Sequence, residues 1–203
     1  MERTGSFVES PSGTREEIMR ATYLALCEHG YAGLTIARIG EEFPKSKSLI
    51  YHHHDGKDAL LLDFLEFMLD RYEATMPLER PEDPEAHLEA VLDYMFLTPL
   101  PDEHRDFLTA MVELRSQAAH DEDYRAHFTR HDRFFVERLS LLVEAGIESG
   151  DFADVDSEVV ASFVLNAMNG SLGWRLTTDD DPAEDVRAEL EAYLRARLLP
   201  DDS

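Results

Sequence analysis

The chain has 203 residues, 43% of them hydrophobic, enough for one large domain or a small domain joined to a larger one around a substantial core. Its 43 Asp and Glu outnumber 19 Lys and Arg, giving a formal charge of −24. The acidic residues are spread along the chain, which favours the solvated surfaces of salt-adapted, halophilic proteins over an acidic interaction tail. Cys27 is the only cysteine, so no intrachain disulfide can form. The opening Met-Glu-Arg-Thr-Gly-Ser-Phe lacks the form of a signal peptide, and no stretch approaches about 18 uninterrupted apolar residues. A soluble cytoplasmic protein with no membrane span is expected.

Residues 1–13, with Gly, Pro and Ser, read as a flexible arm. Thr14-Arg15-Glu16-Glu17 has the form of a capping box and opens a first helix that Gly30 ends. Leu34 and Thr35 open a short second helix with Ile36 and Ile39 inward. Pro44 interrupts it, and Ser46 to His53 forms a third short helix. Two short helices joined by a tight connection suggest a helix-turn-helix, which places a DNA-binding domain at residues 14–56. From Lys57 to about Glu73 runs a helix apolar on most of its circumference, which demands cover on several sides. A stretch with Pro77, Pro81 and Pro84 separates it from helices near 85–97, 103–119, 122–149, 157–177 and 183–198, with Gly150 ending the longest. No window shows sustained strand alternation, so the fold class is all-α, a three-helix N-terminal domain followed over 57–203 by a helical bundle that the helix from 57 links to it.

Charge singles out the third helix. Residues 1–60 carry seven Lys or Arg against nine Asp or Glu, whereas residues 61–203 carry twelve against thirty-four. All three lysines, Lys45, Lys47 and Lys57, fall between 45 and 57 beside hydroxyls, Tyr51 and three histidines. A polyanion partner requires such a local escape from acidification, because phosphate contacts need positive charge. Ser46, Lys47, Ser48, Tyr51 and His52 supply a polar face for a major groove while Leu49 or Ile50 turns inward. Lys57 and the amides after Gly56 supply a second phosphate site.

Ile18, Ala21, Gly30-Tyr31, Leu34-Thr35, Ile39, Glu41-Glu42, Ser46-Lys47, Tyr51 and Lys57-Asp58-Ala59-Leu60 stand in one unbroken order over residues 14–62. In this the chain resembles the TetR family of transcriptional repressors. The resemblance implies a homodimer whose heads read neighbouring major grooves of a double-stranded DNA operator, and a C-terminal ligand-binding and dimerisation bundle with an inducer pocket. It also implies that Thr35, Lys47, Tyr51, His52 and Lys57 contact DNA. Two departures stand out: Pro44-Lys45 replaces the family's Gly-Val in the turn, so the turn needs another backbone geometry with Lys45 as an added phosphate contact, and His54 replaces an aromatic residue.

For the pocket, aromatic and Met side chains at Phe64, Phe67, Met68, Tyr94, Phe107, Met111, Phe134 and Phe135 suit a small apolar or aromatic inducer. For the dimer face, Ser162, Phe163, Asn166, Gly170 and Trp174 on the eighth helix join Leu190, Tyr193 and Leu194 on the ninth. The run His52-His53-His54 cannot close on one ion, since successive helical residues point about 100° apart. Asp123, His127 and His131 share a helical face at metal-ligand spacing, but an ordinary amphipathic helix explains them, and no metal or cofactor is expected. The run Asp180-Asp181-Pro182-Ala183-Glu184-Asp185 superficially resembles the magnesium motif of all-α enzymes. It reads better as an N-cap at Asp181 with Pro182 as first helical residue, and no enzyme activity is expected. The remaining alternative is a helical regulator without an inducer, acting through DNA or a protein partner.

Overall fold

The computed structural model describes residues 10–75 and 83–199, and among them every regular element is a helix. The elements are α1 (Thr14–Gly33), α2 (Ile36–Glu42), α3 (Lys47–His53), α4 (Lys57–Thr75), α5 (Pro84–Met95), α6 (Asp102–Gln117), α7 (Glu122–Ser149), α8 (Ser157–Thr177) and α9 (Ala183–Leu198). Residues 1–9 of the expected arm, and both Pro77 and Pro81, lie outside the described residues.

Local chemistry accounts for most boundaries. Gly30 interrupts α1 with a left-handed φ of 62°, and one short turn continues to Gly33. Thr35 caps α2 by accepting from the Arg38 amide at 3.2 Å, and Asp156 caps α8 through the Val159 amide at 3.1 Å. Gly150, at φ 86°, stops α7. Two expected caps need correction. Gly13, without a side chain, stands at the cap of α1, so the capping box does not form. The Thr14 hydroxyl instead accepts from Lys45 Nζ at 3.1 Å, and Glu16 accepts from the Ser12 amide at 2.7 Å. At α9 the cap position is Pro182. Asp181, one residue earlier, accepts from the Ala183 amide at 3.1 Å and also binds Arg175 at 2.6 Å.

The chain divides into two compact units. Among the described residues the first comprises 10–75 and 101–130, so the helix-turn-helix head shares one core with α4, α6 and the start of α7. Ile18, Leu26, Ile39, Ile50, Leu60, Leu61 and Phe64 are fully buried there. Leu60, Leu61, Phe64, Leu65, Phe67, Met68 and Leu69 of α4 are all buried, the many-sided cover its composition demanded. Among the described residues the second unit comprises 83–100 and 131–199 and closes around Leu88, Leu142, Val160, Val164, Leu190 and Leu194.

Candidate nucleic-acid interface

α2 and α3 are each seven residues long, too short to hold shape alone, so tertiary burial fixes them. Ile39 from α2 and Ile50 from α3 are 0% exposed, and Phe43 in the connection is 5% exposed. These three anchors let Pro44 replace the usual glycine. Phe43 takes φ −89°, ψ 125° and Ser46 φ −67°, ψ 134°, so the turn closes on extended residues. With Ile50 inward, Lys47, Ser48, Tyr51 and His52 lie on the outer side of α3, all exposed, Tyr51 at 60%. Ser46 caps the helix through the Ser48 amide at 3.3 Å.

The lysines are already engaged. Lys45 pairs with Glu17 of α1, Lys47 Nζ lies 3.9 Å from Glu41 of α2, and the Lys47 stem fills the space beside Gly40 that a Cβ would occupy. Lys57 sits over the Tyr31 ring at 4.2 Å and donates to the Tyr31 carbonyl at 3.4 Å. Tyr31 in turn donates its amide to Glu113 of α6 at 2.7 Å. Burial first, and then the fields of Asp58 and Asp121, push the Tyr31 phenol above its ordinary range. Arg38, exposed on α2 and donating to the Gly33 carbonyl, is a further head cation that sequence reasoning passed over, since arginine is scattered along the chain.

His54 is where the histidine run turns inward. His52 and His53 are exposed, whereas His54 is buried and its Nε2 donates to Asp63 Oδ2 at 2.8 Å. Arg15 of α1 binds the other oxygen of Asp63 at 2.7 Å. Burial alone would raise the Asp63 carboxyl, but the hydrogen bonds from Arg15 and His54 outweigh it and hold it below the usual carboxylate range. The polar residue in place of the family's aromatic thus ties the end of α3 to α4 and α1.

The other expected site residues separate by unit. Phe64, Phe67, Met68, Phe107 and Met111 pack in the first unit's core, where the Phe64 and Phe107 rings stand 6.4 Å apart. Phe134 and Phe135 belong to the second unit with ring centroids 5.1 Å apart, and Tyr94 is 45% exposed on α5. On α8, Val159, Phe163, Asn166, Gly170 and Trp174 form one exposed stripe, and Phe163 rests on Tyr193 of α9 at 4.5 Å between rings. Ser162 is half-buried beside it. Leu190 and Leu194, expected on the same face, instead turn into the core of their own unit, at 3% and 5% exposed. His127 lies 3.6 Å from Glu66, and His131 lies 3.2 Å from Asp132, within reach of the Phe135 ring.

A pair of short helices with one polar outer face and a buried backing, carried on a helical body, defines a helix-turn-helix DNA-binding regulator. Residues 18–64 match the model of bacterial regulatory proteins of the tetR family, and residues 84–199 match that of the C-terminal part of BetI-type transcriptional repressors. The chain belongs to the TetR family of transcriptional regulators, which are not enzymes. It is similar to a TetR transcription regulator from Haloarcula marismortui, with 37% identity, coverage of 91% of this chain and 98% of that one, and a TM-score of 0.81. It is also 29% identical over 171 residues, 84% of this chain and 85% of the relative, to the HTH-type transcriptional repressor AcnR of Corynebacterium efficiens. A transcriptional regulator from Saccharomonospora viridis in complex with choline shares the fold at 18% identity, covering 92% of this chain and 97% of that one, with a TM-score of 0.74. No helix among the described residues is long and apolar enough to cross a membrane.

Proposed function

We propose that the chain is a homodimeric repressor that holds two operator half-sites and releases them when a small apolar or aromatic inducer binds its helical body. The observation that carries this reading is the exposed face of α3, Lys47, Ser48, Tyr51 and His52, backed by the buried Ile50. Thr35, Lys45, Ser46, Lys47, Tyr51 and Lys57 position the head on phosphates, and Ser48 and His52 reach base edges. The exposed stripe on α8 with Tyr193 of α9 pairs with its copy about a two-fold axis, which sets the heads about 34 Å or a small multiple apart. Inducer binds one relative disposition of the two heads better and draws the population away from the DNA-competent spacing.

Fluorescence anisotropy of the purified protein against its own upstream intergenic duplex and a scrambled duplex, in potassium chloride from low to molar, tests the reading. Saturation of the upstream duplex at two protomers per site, or a multiple, supports it. Equal affinity for both duplexes at every salt concentration rejects specific reading of that site.

A further inference from the structure

Of the three lysines on the DNA face, Lys57 is held differently from the other two. Lys45 and Lys47 stand beside carboxylates, whereas Lys57 leans on uncharged groups: its Nζ lies 4.2 Å from the centroid of the Tyr31 ring and donates to the Tyr31 carbonyl at 3.4 Å. A lysine stem is flexible, so the ammonium is fixed only as firmly as the group that holds it. Here one residue, 26 positions earlier, supplies both contacts. Tyr31 follows Gly30, whose left-handed φ of 62° takes the chain off the helical path and leaves the Tyr31 amide in need of an acceptor from elsewhere. Glu113 of α6 provides it. Its Oε2 accepts from the Tyr31 amide at 2.7 Å, a charge-assisted hydrogen bond across 82 positions of sequence. A Cβ at position 30 would lie 3.3 Å from that same oxygen, so the glycine both makes the turn and leaves the carboxylate room.

We propose that Glu113 is a positioning residue for DNA binding: by holding the Tyr31 amide it fixes the ring and the carbonyl that aim Lys57 at a DNA phosphate. This deepens the reading of Lys57 as a phosphate contact and rests on it. The Glu113 charge itself repels DNA, so the contribution is one of geometry, an acceptor oxygen at the reach of this amide. Glutamine offers an acceptor at the same reach without the charge, whereas alanine offers neither.

Anisotropy titrations of the full-length protein over one range of potassium chloride test the assignment. The probe is the upstream duplex, or the scrambled duplex where the two bind alike, since phosphate contacts do not read sequence. Lys57→Met should lower the slope of log affinity on log salt by about 0.9, one phosphate fewer neutralised. Glu113→Ala should reproduce at least half of that loss, and Glu113→Gln should keep the wild-type slope. Adding Glu113→Ala to Lys57→Met should change the slope no further, because the group it positions is already gone. Melting temperatures are read alongside, since a lost hydrogen bond lowers stability whatever it positions. A lower melting temperature for Glu113→Ala with a wild-type slope makes Glu113 merely structural and overturns the proposal, while a reduced slope in Lys57→Met leaves the phosphate contact standing. Equal slope losses from Glu113→Ala with and without Lys57 also overturn it, because Glu113 then acts through another group. An unchanged slope in Lys57→Met removes the phosphate contact and the positioning role with it. Should Glu113→Ala melt below the assay temperature, Glu113→Asp takes its place: it keeps the charge, draws the oxygens back by one methylene and should show the same loss of slope.

Discussion

Single side chains in the head are committed to acidic partners within the chain, which the proposed operator contacts would have to displace. Lys45 reaches Glu17, 28 positions away in the sequence, and Lys47 approaches Glu41, so on the proposed reading phosphate binding would exchange carboxylate for phosphate on each lysine. Glu17→Gln should therefore tighten operator binding, because Lys45 no longer leaves a carboxylate to reach phosphate, and Lys45→Met should lower the slope of log affinity on log salt by about 0.9, one phosphate fewer neutralised. Anisotropy at several salt concentrations reads both quantities, and an unchanged slope for Lys45→Met would show that Lys45 does not meet the backbone. Asp63 makes the matching prediction for pH. Its folded carboxyl titrates below its unfolded value, so its contribution is complete above about pH 4 and is lost as pH falls through the lower folded value. Asp63→Asn should lower the melting temperature near neutrality and flatten its fall below about pH 4, because the substituted side chain cannot titrate. A melting profile parallel to wild type on the acid side would sink that account. His54 illustrates what was legible: its departure from the family's aromatic was visible in the sequence, but its partner nine positions on was not.

Helix boundaries were legible wherever a terminus carried its own chemistry. Gly150 marks the end of α7 and the Asp-Pro pair at 181–182 the start of α9, where the expected first helical residue, Pro182, became the cap, and α7, α8 and α9 run close to where spacing places them. A cap depends on context even where the helix is long, which is why the box at Thr14 failed. A hydroxyl that can cap also accepts from Lys45, and the tertiary partner won. The recognition helix, at seven residues, leans on its cap at Ser46. Ser46→Ala should cost about 1 kcal/mol, a fall of about 2–4 °C in melting temperature. Ser46→Asp should restore the melting temperature yet weaken operator binding, because its carboxylate faces phosphate. If Ser46→Asp binds operator as tightly as wild type, Ser46 does not stand at the backbone.

At the scale of the molecule, the charge of −24 and the exposed stripe on α8 decide behaviour in solution. At low ionic strength the carboxylates of the whole surface repel DNA over about 10 Å or more, and at 1 M that range shrinks to about 3 Å. Relief of repulsion offsets loss of attraction, so affinity should vary little between about 0.5 and 2 M potassium chloride. A steep, monotonic loss would contradict the salt-adapted reading. Phe163, 45% exposed, and Trp174, 54% exposed, are large apolar groups left uncovered by their own unit. Phe163→Asp should yield monomers in sedimentation and lower operator affinity by at least tenfold, since one head alone forfeits the second half-site. A dimer of wild-type stability would place the interface elsewhere. The sequence by itself determined the helical class, the order of the elements and the concentration of lysine at the DNA face, because caps, breakers, periodicity and charge are local properties. Only the tertiary structure decided that Leu190 and Leu194 turn inward, that Lys45 and Lys47 meet Glu17 and Glu41, and that His54 meets Asp63. Periodicity says which residues share a face of a helix, whereas packing decides which face is covered and by what.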